Sequence, residues 1–319
     1  MAKPVNSISG TVCAAIAGHH RYMTPVQAHN HLFDRAEPFH GNEYTRWGII
    51  LEQPVADVAL KDLRKHYNKD VGLVHITERL QHPDVPWYTG TPDRLITNED
   101  DEIIGVLEIK TAGSRSASRW GQPDDEDPLI PAEYLCQIEW YRHLIQALHK
   151  KDHLDLWIAV LIAGQDYRIF KVESPPEFHA NLFKMCQEFW AAYVLTDTLP
   201  DIDGSKGTTR ALSEHFPEAK GENMVSSNVA LEEMVAKRRA IKENIKELDL
   251  VLKTIDNRLR HAIGDNLGIT GSNWTAKWSP SSRPKVDTKA LMAAHPEIVK
   301  KFESKTTFRT LRVHYKKEA

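Results

Sequence analysis

The sequence predicts an α/β fold in which a mixed central sheet is flanked by helices. Two observations lead to this prediction. Segments with helical and strand-like periodicity follow one another in the order α-β-β-β-α-β-β-α up to about residue 195. Residues 154–163 are almost continuously apolar, as in a buried strand, and after Gly164 an alternating segment offers a hairpin partner. Helices that precede, separate and follow such strands must share one core with them.

The helices of this fold are expected where apolar residues recur at helical spacing between end signals. Thr24 followed by Pro25 is a typical helix start, and Pro131 fits the first turn of another helix. The expected helices are two short ones between residues 7 and 34, and one each over 43–67, 131–150 and 175–195.

The strands are expected where β-branched and aromatic residues lie between turn formers. The acidic segment 98–102 has the composition of a turn that joins two of them. The expected strands are 74–80, 88–97 and 103–111, which would form an antiparallel meander, and the hairpin of 154–163 with 166–172.

A change in composition predicts a second module. Residues 199–207 are polar and rich in turn formers, which indicates the end of the first domain. Apolar residues then recur over 227–263 as in one long helix or a helical hairpin. An alternating segment over 274–278, two short helices and a strand over 306–315 would complete a small α+β module. The predicted organisation is a first domain over 1–205, a linker over 206–226 and a C-terminal module over 227–319.

The two parts of the chain differ in charge, although the net charge of the 319 residues is only −3. The first 220 residues hold 22 basic against 32 acidic residues, and the remainder holds 19 against 12. A basic module could meet nucleic acid. A solvated Lys/Arg-rich helix face is the alternative.

The overall composition fits a soluble globular protein, with 41% hydrophobic and 27% charged residues. We find no apolar run long enough to cross a bilayer and no secretory signal, so a cytoplasmic protein is expected. Cys13, Cys136 and Cys186 are widely scattered. Their spacing argues against a disulfide framework, a structural zinc site and an iron-sulfur cluster.

Two short motifs point to chemistry. Asp93 closes or opens a strand behind the Gly90-Thr-Pro turn, and Glu108-Ile109-Lys110 lies at the end of the next apolar strand. Because side chains alternate along a strand, Glu108 and Lys110 share one face at a Cα separation of about 6.5–7 Å. A core does not tolerate such charges unpaired. The spacing suits a carboxylate and an ammonium that serve one phosphate.

Phosphodiester hydrolysis needs an aimed hydroxide and compensation for the developing charge, which two divalent ions about 3.5–4 Å apart can provide. Asp93, Glu108 and the main-chain carbonyl of Ile109 would make an all-oxygen site of the kind that Mg²⁺ prefers, with Mn²⁺ as a substitute. Glu52, on the helix over 43–67, is a fourth candidate ligand.

Three further residues are candidates for handling water or phosphate. Lys110 would orient the attacking water and stabilise its hydroxide form, or act as the base if its pKa were lowered. Tyr134 and Gln137 lie one turn apart on the helix over 131–150, from which they could position water or phosphate.

Four segments in this order also resemble a known family. They are Trp47-Gly48 to Glu52, Gly90 to Asp93, Leu107 to Lys110, and Pro131 to Gln137. Together they resemble the motifs of the phage-type recombination exonucleases, which are YqaJ-like viral recombinases and relatives of phage lambda exonuclease within the PD-(D/E)xK superfamily. The resemblance spans about residues 7 to 195.

The resemblance implies a restriction-endonuclease-like core and Mg²⁺-dependent digestion of one strand of a linear DNA duplex, usually 5′-to-3′. The product would be a 3′ single strand for a phage single-strand annealing recombinase. A ring-shaped homo-oligomer that threads DNA is also implied, as is a location in the host cytoplasm.

The sequence departs from this family at the segment that grips the DNA end. Members commonly carry an arginine before a Thr-Ala-Ser-like turn, whereas the corresponding stretch here, 7–11, has none. End recognition is therefore expected from Ser9, Thr11, Arg21 or another residue, and a preference for a 5′-phosphate does not follow from the resemblance. Tyr134 is a further candidate for contact with DNA. The C-terminal module, including Asp287 and a strand at 309–313, resembles an extension of some phage members for which no function is implied.

Other interpretations remain open. Asp93 could cap a turn after Pro92, and Glu108 with Lys110 could be an ion pair at a strand end. The same core could serve an endonuclease, or a DNA-binding module whose nuclease site is vestigial.

Two groups of side chains outside the motifs also have alternatives. His19, His20, His29 and His31 favour surface or phosphate-facing roles over a closed metal site. Trp274, Lys277, Trp278, Arg283 and Lys285 could stack on single-stranded DNA, but a small core filled by the two tryptophans is favoured.

Overall fold

A five-stranded mixed sheet forms the centre of the N-terminal part of the chain. In chain order, the strands of this part are β1 (Gly72–His75), β2 (Leu80–Gln81), β3 (Thr89–Gly90), β4 (Arg94–Thr97), β5 (Ile103–Ala112), β6 (Asp155–Ile162) and β7 (Asp166–Val172). The sheet has the order β1-β4-β5-β6-β7, in which only the β5–β6 pair is parallel. This arrangement confirms the predicted mixed sheet.

The structure is a computed structural model, and it describes residues 5–37, 39–219, 224, 226–284, 286–303 and 309–315. These residues fall into two compact units, one within 1–218 together with 309–319 and the other within 219–308. Within the described ranges, no helix has the length and apolar character needed to span a membrane.

Helices cover both faces of the sheet. The helices of the first unit are α1 (Gly10–Ile16), α2 (Pro25–Leu32), α3 (Glu43–Tyr67), α4 (Ala132–His149), α5 (Pro176–Phe189) and α6 (Lys206–His215). Side chains of α3 pack on Leu107 and Ile109 on one face. The larger cluster, which includes residues of α1, α4 and α5, packs on Val106 and Ile158 on the other face. Glu108 and Lys110 alternate with Leu107 and Ile109, so they project toward the α4 face.

Capping residues mark the ends of two of the predicted helices. Thr24 and Gln27 form a reciprocal capping box at the start of α2. Asn42 caps α3, which ends as Asn68 takes the left-handed conformation with a φ of 50°. These caps account for the agreement between the predicted and observed bounds of α3.

Two predicted strands are wrong in extent. Residues 74–80 do not form one strand, because β1 ends at His75 and β2 leaves the sheet to pair with β3. The predicted strand 88–97 is also divided, since Pro92 has no N–H to donate to a ladder and separates β3 from β4.

A helix occupies part of the segment that the sequence analysis assigns to a linker. Ser205 caps α6 by accepting a hydrogen bond from the Thr208 amide at 3.0 Å. The buried Asn30 side chain donates to the Ala211 carbonyl at 2.7 Å, which ties α6 to α2. Polar composition suggested a linker, but this helix buries Thr208 and Ala211 and so belongs to the first unit.

The second unit contains one long helix and short elements. They are α7 (Val229–Ile263), β8 (Gly268–Thr270), β9 (Thr275–Lys277), α8 (Thr288–Ala294) and α9 (Pro296–Phe302). The long segment is therefore a single helix and not a helical hairpin. Trp274 and Trp278 flank β9 and remain 49% and 52% exposed, so the prediction that they fill a small core is wrong. A hairpin of three-residue strands offers too little surface to bury them.

The predicted strand over 306–315 lies partly outside the described residues, as does Lys285. Residues 309–315 are described and form no strand, so that part of the prediction is wrong. The Arg309 guanidinium instead donates to the Phe216 carbonyl at 3.3 Å. An alternating pattern alone does not make a strand unless a partner strand accepts its hydrogen bonds.

Two stacked histidines predict a pH-dependent stability of the first unit. His143 and His179 stack on each other, and the Nε2 atom of His179 lies 3.3 Å from the Tyr88 hydroxyl. Burial, with added repulsion from Arg142 and His82, lowers the pKa of His143 to about 4. Burial and the neighbouring His143 charge lower the pKa of His179 to about 3.

We expect the free energy of unfolding to fall as the pH drops below about 6.5, because the unfolded chain then binds protons that the folded chain refuses. The loss should reach about 1–3 kcal/mol by pH 5. Chemical denaturation at pH 5 and pH 7.5 measures it, and His143→Gln with His179→Phe should remove most of the difference. An unchanged pH dependence in that double variant would exclude these rings as its source.

Candidate active site

A cavity of about 450 Å³ opens where β4 and β5 meet the first halves of α3 and α4. It collects residues that are far apart in the sequence. The lining residues are Thr11, His20, Arg21, Tyr22, Tyr44, Thr45, Gly48, Ile49, Glu52, Asp93, Ile109, Lys110, Thr111, Glu133, Tyr134 and Gln137. Two polar motifs of the sequence analysis, around Asp93 and Lys110, therefore meet at one cavity.

Asp93 holds its place by a hydrogen bond to the neighbouring strand. It precedes β4, and its Oδ2 atom accepts a hydrogen bond from the Ile109 amide at 2.8 Å. Burial raises the pKa of the Asp93 carboxyl, although Lys110 and the Ile109 amide oppose that shift. This hydrogen bond fixes the Asp93 carboxylate beside the end of β5. The register of β4 on β5 pairs Arg94 with Leu107, so Asp93 lies next to Glu108.

Glu108 and Lys110 form a buried ion pair on the α4 face of β5. The Nζ atom of Lys110 donates to Oε1 of Glu108, which is only 1% exposed. Among the described residues, Oε2 of Glu108 is one of four buried side-chain atoms without a hydrogen-bond partner. Burial, and then the charge of Asp93, raise the pKa of the Glu108 carboxyl. A buried carboxylate oxygen with no partner is costly, and a bound cation would relieve that cost.

Lys110 stays protonated in this arrangement. Burial alone would lower the pKa of its ammonium, but the charges of Glu108 and Asp93 raise it above the ordinary value. The ammonium also lies 5.1 Å from the centre of the Tyr134 ring. The geometry thus favours a lysine that orients water and compensates negative charge over a lysine that acts as the base.

The main-chain carbonyl of Ile109 is placed as a ligand would need to be. In an extended strand, the N–H and C=O of one residue point to the same side. The pairing of β4 with β5 ends at Arg94, opposite Leu107. Beyond that pair, the Ile109 amide donates to the Asp93 side chain and not to a strand. The Ile109 carbonyl therefore faces the same open edge, beside the Asp93 carboxylate.

Gln137 and Tyr134 lie on the cavity wall that α4 provides. The Gln137 amide donates to the Tyr141 hydroxyl at 3.0 Å, which orients its carbonyl oxygen. The Tyr134 ring stacks on Trp120 at a centroid distance of 5.5 Å. Burial raises the pKa of the Tyr134 hydroxyl, so this residue can only donate or accept a hydrogen bond as a neutral phenol near pH 7.

Glu52 reaches the cavity but is engaged by an arginine that the sequence analysis missed. Its Oε1 atom accepts a hydrogen bond from the Arg94 guanidinium at 2.6 Å and lies 3.6 Å from Nε2 of His75. Arg94 is 2% exposed and also donates to the Asp93 carbonyl at 2.6 Å and to the Gln53 side chain at 3.0 Å. Arg94 thus links the two carboxylate-bearing segments, and Glu52 neutralises it.

The pairing of Glu52 with Arg94 predicts that replacing one partner lowers the free energy of unfolding by a different amount than replacing the other. Glu52→Ala leaves Arg94 buried without its counter-ion, and we expect a loss of about 3 kcal/mol in the free energy of unfolding. Arg94→Met leaves Glu52, which is 27% exposed and can take up water. The single Arg94→Met change, and the double variant, should therefore both be more stable than Glu52→Ala.

Urea denaturation of the four proteins completes the double-mutant cycle. Glu43→Ala, which removes an exposed pair with Arg46, is the matched control and should change stability by less than about 0.5 kcal/mol. A Glu52→Ala variant as stable as the control would contradict the counter-ion role.

The residues expected at the DNA end occupy different places. Thr11 and Arg21 line the cavity, and the Arg21 guanidinium donates to the Ser116 hydroxyl at 3.2 Å. The Ser9 hydroxyl is the N-cap of α1, where it accepts from the Val12 amide, and Ser9 does not line this cavity. The structure therefore brings Thr11, Arg21 and Tyr134 together with the carboxylates, but not Ser9.

A further ion pair was not found from the sequence. Arg119 makes a paired contact with Glu133, with both distances 2.7 Å, at the cavity wall. His20 lines the cavity, and burial lowers its pKa. By contrast, His29 is fully buried within α2, with Nε2 at 3.2 Å from the Tyr193 carbonyl, so its expected surface role is wrong.

The donor set of this site suits a hard divalent cation. As the side chains stand, no group of three His, Cys, Asp or Glu within the described part of the chain is close enough to hold a metal ion. Glu52 turns to Arg94, and Glu108 turns to Lys110. Asp93, Glu108 and the Ile109 carbonyl nevertheless offer the oxygen atoms that such an ion prefers, and the unpartnered Oε2 of Glu108 fits a bound cation.

A comparison with protein families finds a match in the N-terminal part of the chain. Residues 5–144 match the model of the YqaJ-like viral recombinase domain. The N-terminal part of the chain is therefore similar to this domain, over 140 of the 319 residues. It contains the α1 segment, α3, β4, β5 and most of α4, which are the elements that build the cavity.

Two individual proteins are also similar to this chain. The uncharacterized protein YqaJ of Bacillus subtilis (strain 168) is 27% identical over 303 residues, which cover 95% of this chain and 89% of that protein. The crystal structure of LHK-Exo in complex with dAMP is 14% identical, with a TM-score of 0.40, and covers 60% of this chain and 89% of that chain. The likeness to YqaJ therefore continues beyond residue 144 and into the second unit.

Proposed function

We propose that the protein is a Mg²⁺-dependent deoxyribonuclease that digests one strand of linear double-stranded DNA from the 5′ end. The product would be a 3′ single-stranded tail that serves recombination. The observation that carries this proposal is that Asp93 and Lys110 line one cavity, while Glu108, which is paired with Lys110, keeps its Oε2 atom buried and unpartnered. The YqaJ-like viral recombinase domain supports the same class of activity.

The chain's own residues have distinct tasks in this reaction. Asp93, Glu108 and the Ile109 carbonyl would hold Mg²⁺, or Mn²⁺ in its place, with Glu52 as a further ligand once it leaves Arg94. With a metal bound there, the site would gain an activated water as nucleophile and compensation for charge on the phosphate. The protonated Lys110 orients the attacking water and stabilises negative charge at phosphorus, and the oriented Gln137 carbonyl accepts a hydrogen bond from water.

The substrate would be held by groups at the cavity mouth. Arg21 and Thr11 offer a guanidinium and a hydroxyl to a phosphate, and Tyr134 presents a phenol beside Lys110. A single-strand annealing recombinase would take up the 3′ tail, and a ring of identical chains would keep the duplex in place. These steps would occur in the host cytoplasm.

The test compares a linear plasmid with the same plasmid as a covalently closed circle, each with Mg²⁺ and with a chelator. Loss of the linear form alone, with release of label from the 5′ end before the 3′ end, is the expected result. Cutting of the closed circle would indicate an endonuclease on the same core. Binding of DNA without cutting in Mg²⁺ or Mn²⁺ would indicate a DNA-binding module with a vestigial site.

A further inference from the structure

The long helix of the second unit has an apolar seam that the described residues leave exposed. With 35 residues, α7 is about 52 Å long. The residues concerned form two series, each with a spacing of seven positions. We call these ten residues the α7 seam. The first series is Leu231, Arg238, Ile245, Leu252 and Leu259, and the second is Met234, Ile241, Leu248, Ile255 and Ala262.

The exposure of the α7 seam calls for a partner. Its large apolar side chains from Leu231 to Ile255 are 44–68% exposed. A contiguous apolar stripe of this length marks an interaction surface, and a repeat of seven with two apolar positions is the pattern of a two-stranded coiled coil. A helix with the same repeat is therefore the fitting occupant.

We infer that α7 pairs with α7 of a second copy of this chain in an antiparallel coiled coil. In that arrangement the two series face each other, so Ile245 packs against the partner's Leu248 at the centre. Leu231 then lies against the partner's Ala262 at each end. This register pairs all ten positions of the α7 seam, because the two copies cross at the midpoint of the seam, which is also close to the midpoint of the helix.

The charges beside the seam select the antiparallel direction. Lys242 would lie beside the partner's Asp249, and the partner's Lys242 would lie beside Asp249. Arg238, which is the one charged member of the seam, would face the partner's Ile255 and reach the adjacent Asp256 of the partner subunit. Each favourable pair occurs twice because the arrangement is symmetric.

A parallel pair would place like charges together. Arg238 would face its own copy across the axis, and Lys237 would flank the partner's Lys242. The antiparallel pair has one cost, since Lys237 approaches the partner's Arg258. Two attractive pairs against one repulsive pair favour the antiparallel direction, whereas a parallel pair gains no opposite-charge contact between the helices.

Charge reversal tests this inference on the full-length protein by sedimentation equilibrium without DNA. Lys242→Glu should weaken the association about tenfold or more, because the new carboxylate meets the partner's Asp249 and this repulsion occurs twice in the symmetric pair. Asp249→Lys should weaken it similarly. The double variant restores opposite charges and should return the dissociation constant to within about threefold of the wild type.

Two further variants keep the test decisive. Lys246→Glu makes the same change on the outer face of α7 and should leave the association unchanged. Ile245→Asp removes the central layer and should halve the mass of the assembly, with circular dichroism to show that α7 remains helical.

Three outcomes would overturn the inference. A tighter association of Lys242→Glu would indicate a parallel pair, because the new carboxylate would then face the partner's Lys237. A mass that does not respond to Ile245→Asp would show that the α7 seam does not join two copies. A wild-type chain that shows no such association would assign the seam to a different occupant. None of these results depends on nuclease activity, so they stand apart from the test of the proposed function.

Discussion

Replacing Lys110 with alanine is expected to lower the rate of strand digestion by about 10³-fold. Glu108 and the Tyr134 ring hold the Lys110 ammonium at the cavity. In the proposed reaction, the phosphate would bind next to this ammonium. Methionine at this position preserves the volume but not the charge, so Lys110→Met should lose as much. Initial rates on a 5′-labelled linear duplex measure the effect.

The matched control for this prediction is a lysine that touches nothing in the site. Lys184 lies on α5, is 71% exposed and makes only a 3.9 Å contact with Glu188 one turn away. Lys184→Ala should keep full activity. If Lys110→Ala digested DNA at more than a tenth of the wild-type rate while folded, the assigned role of Lys110 would be wrong.

Glu108→Gln is expected to abolish strand digestion without weakening the fold. The amide keeps the shape of the side chain but cannot supply the negative charge that a divalent cation requires. Burial already raises the pKa of the Glu108 carboxyl, which means that the folded chain disfavours the charge. We expect a loss of at least about 10³-fold in rate, with a melting temperature no lower than that of the wild type without metal.

Asp93→Asn should behave in the same way, because its side chain can still accept from the Ile109 amide. Asp166→Asn is the control, since Asp166 lies at the start of β7 and pairs with Arg168 outside the cavity. Digestion by Glu108→Gln at a rate near that of the wild type would contradict the proposed ligand role. A fall in melting temperature of more than a few degrees would show instead that the charge stabilises the fold.

Most of the first unit could be predicted because its signals are local. The bounds of α3 follow from Asn42 and Asn68, and Pro131 precedes the first residue of α4. The positions of Asp93 and Lys110 also follow from the sequence, since strand alternation and a short turn fix which face each side chain takes. Local rules suffice where caps and strands act within a few residues.

The parts that could not be predicted depend on contacts between distant segments. The pairing of Arg94 with Glu52 arises only when α3 packs across β4, 42 residues away in the sequence. In the same way, the packing of α6 on α2 outweighs the polar composition of 199–207. The sequence contains Arg94 directly after Asp93, but nothing in the spacing indicates which carboxylate it meets.

The ligand role of Glu52 remains a prediction that this pairing sharpens. In the structure its carboxylate neutralises a buried guanidinium, so Glu52 can join a metal only if Arg94 finds other acceptors. The Asp93 carbonyl and the Gln53 side chain already accept from Arg94 and would retain it. The guanidinium would then stay hydrogen-bonded to these neutral acceptors, but without its counter-ion, so the move of Glu52 to a metal carries an energetic cost.

Mn²⁺ binding, followed by electron paramagnetic resonance, tests the metal centre most directly because it does not require activity. We predict that the wild type binds Mn²⁺ and that Mg²⁺ displaces it. Glu108→Gln and Asp93→Asn should lose this binding, whereas Lys184→Ala and Asp166→Asn should keep it. Binding that survives both site substitutions, or a wild type that binds no Mn²⁺ with and without DNA, would contradict the assignment of this cavity as the metal centre of a nuclease.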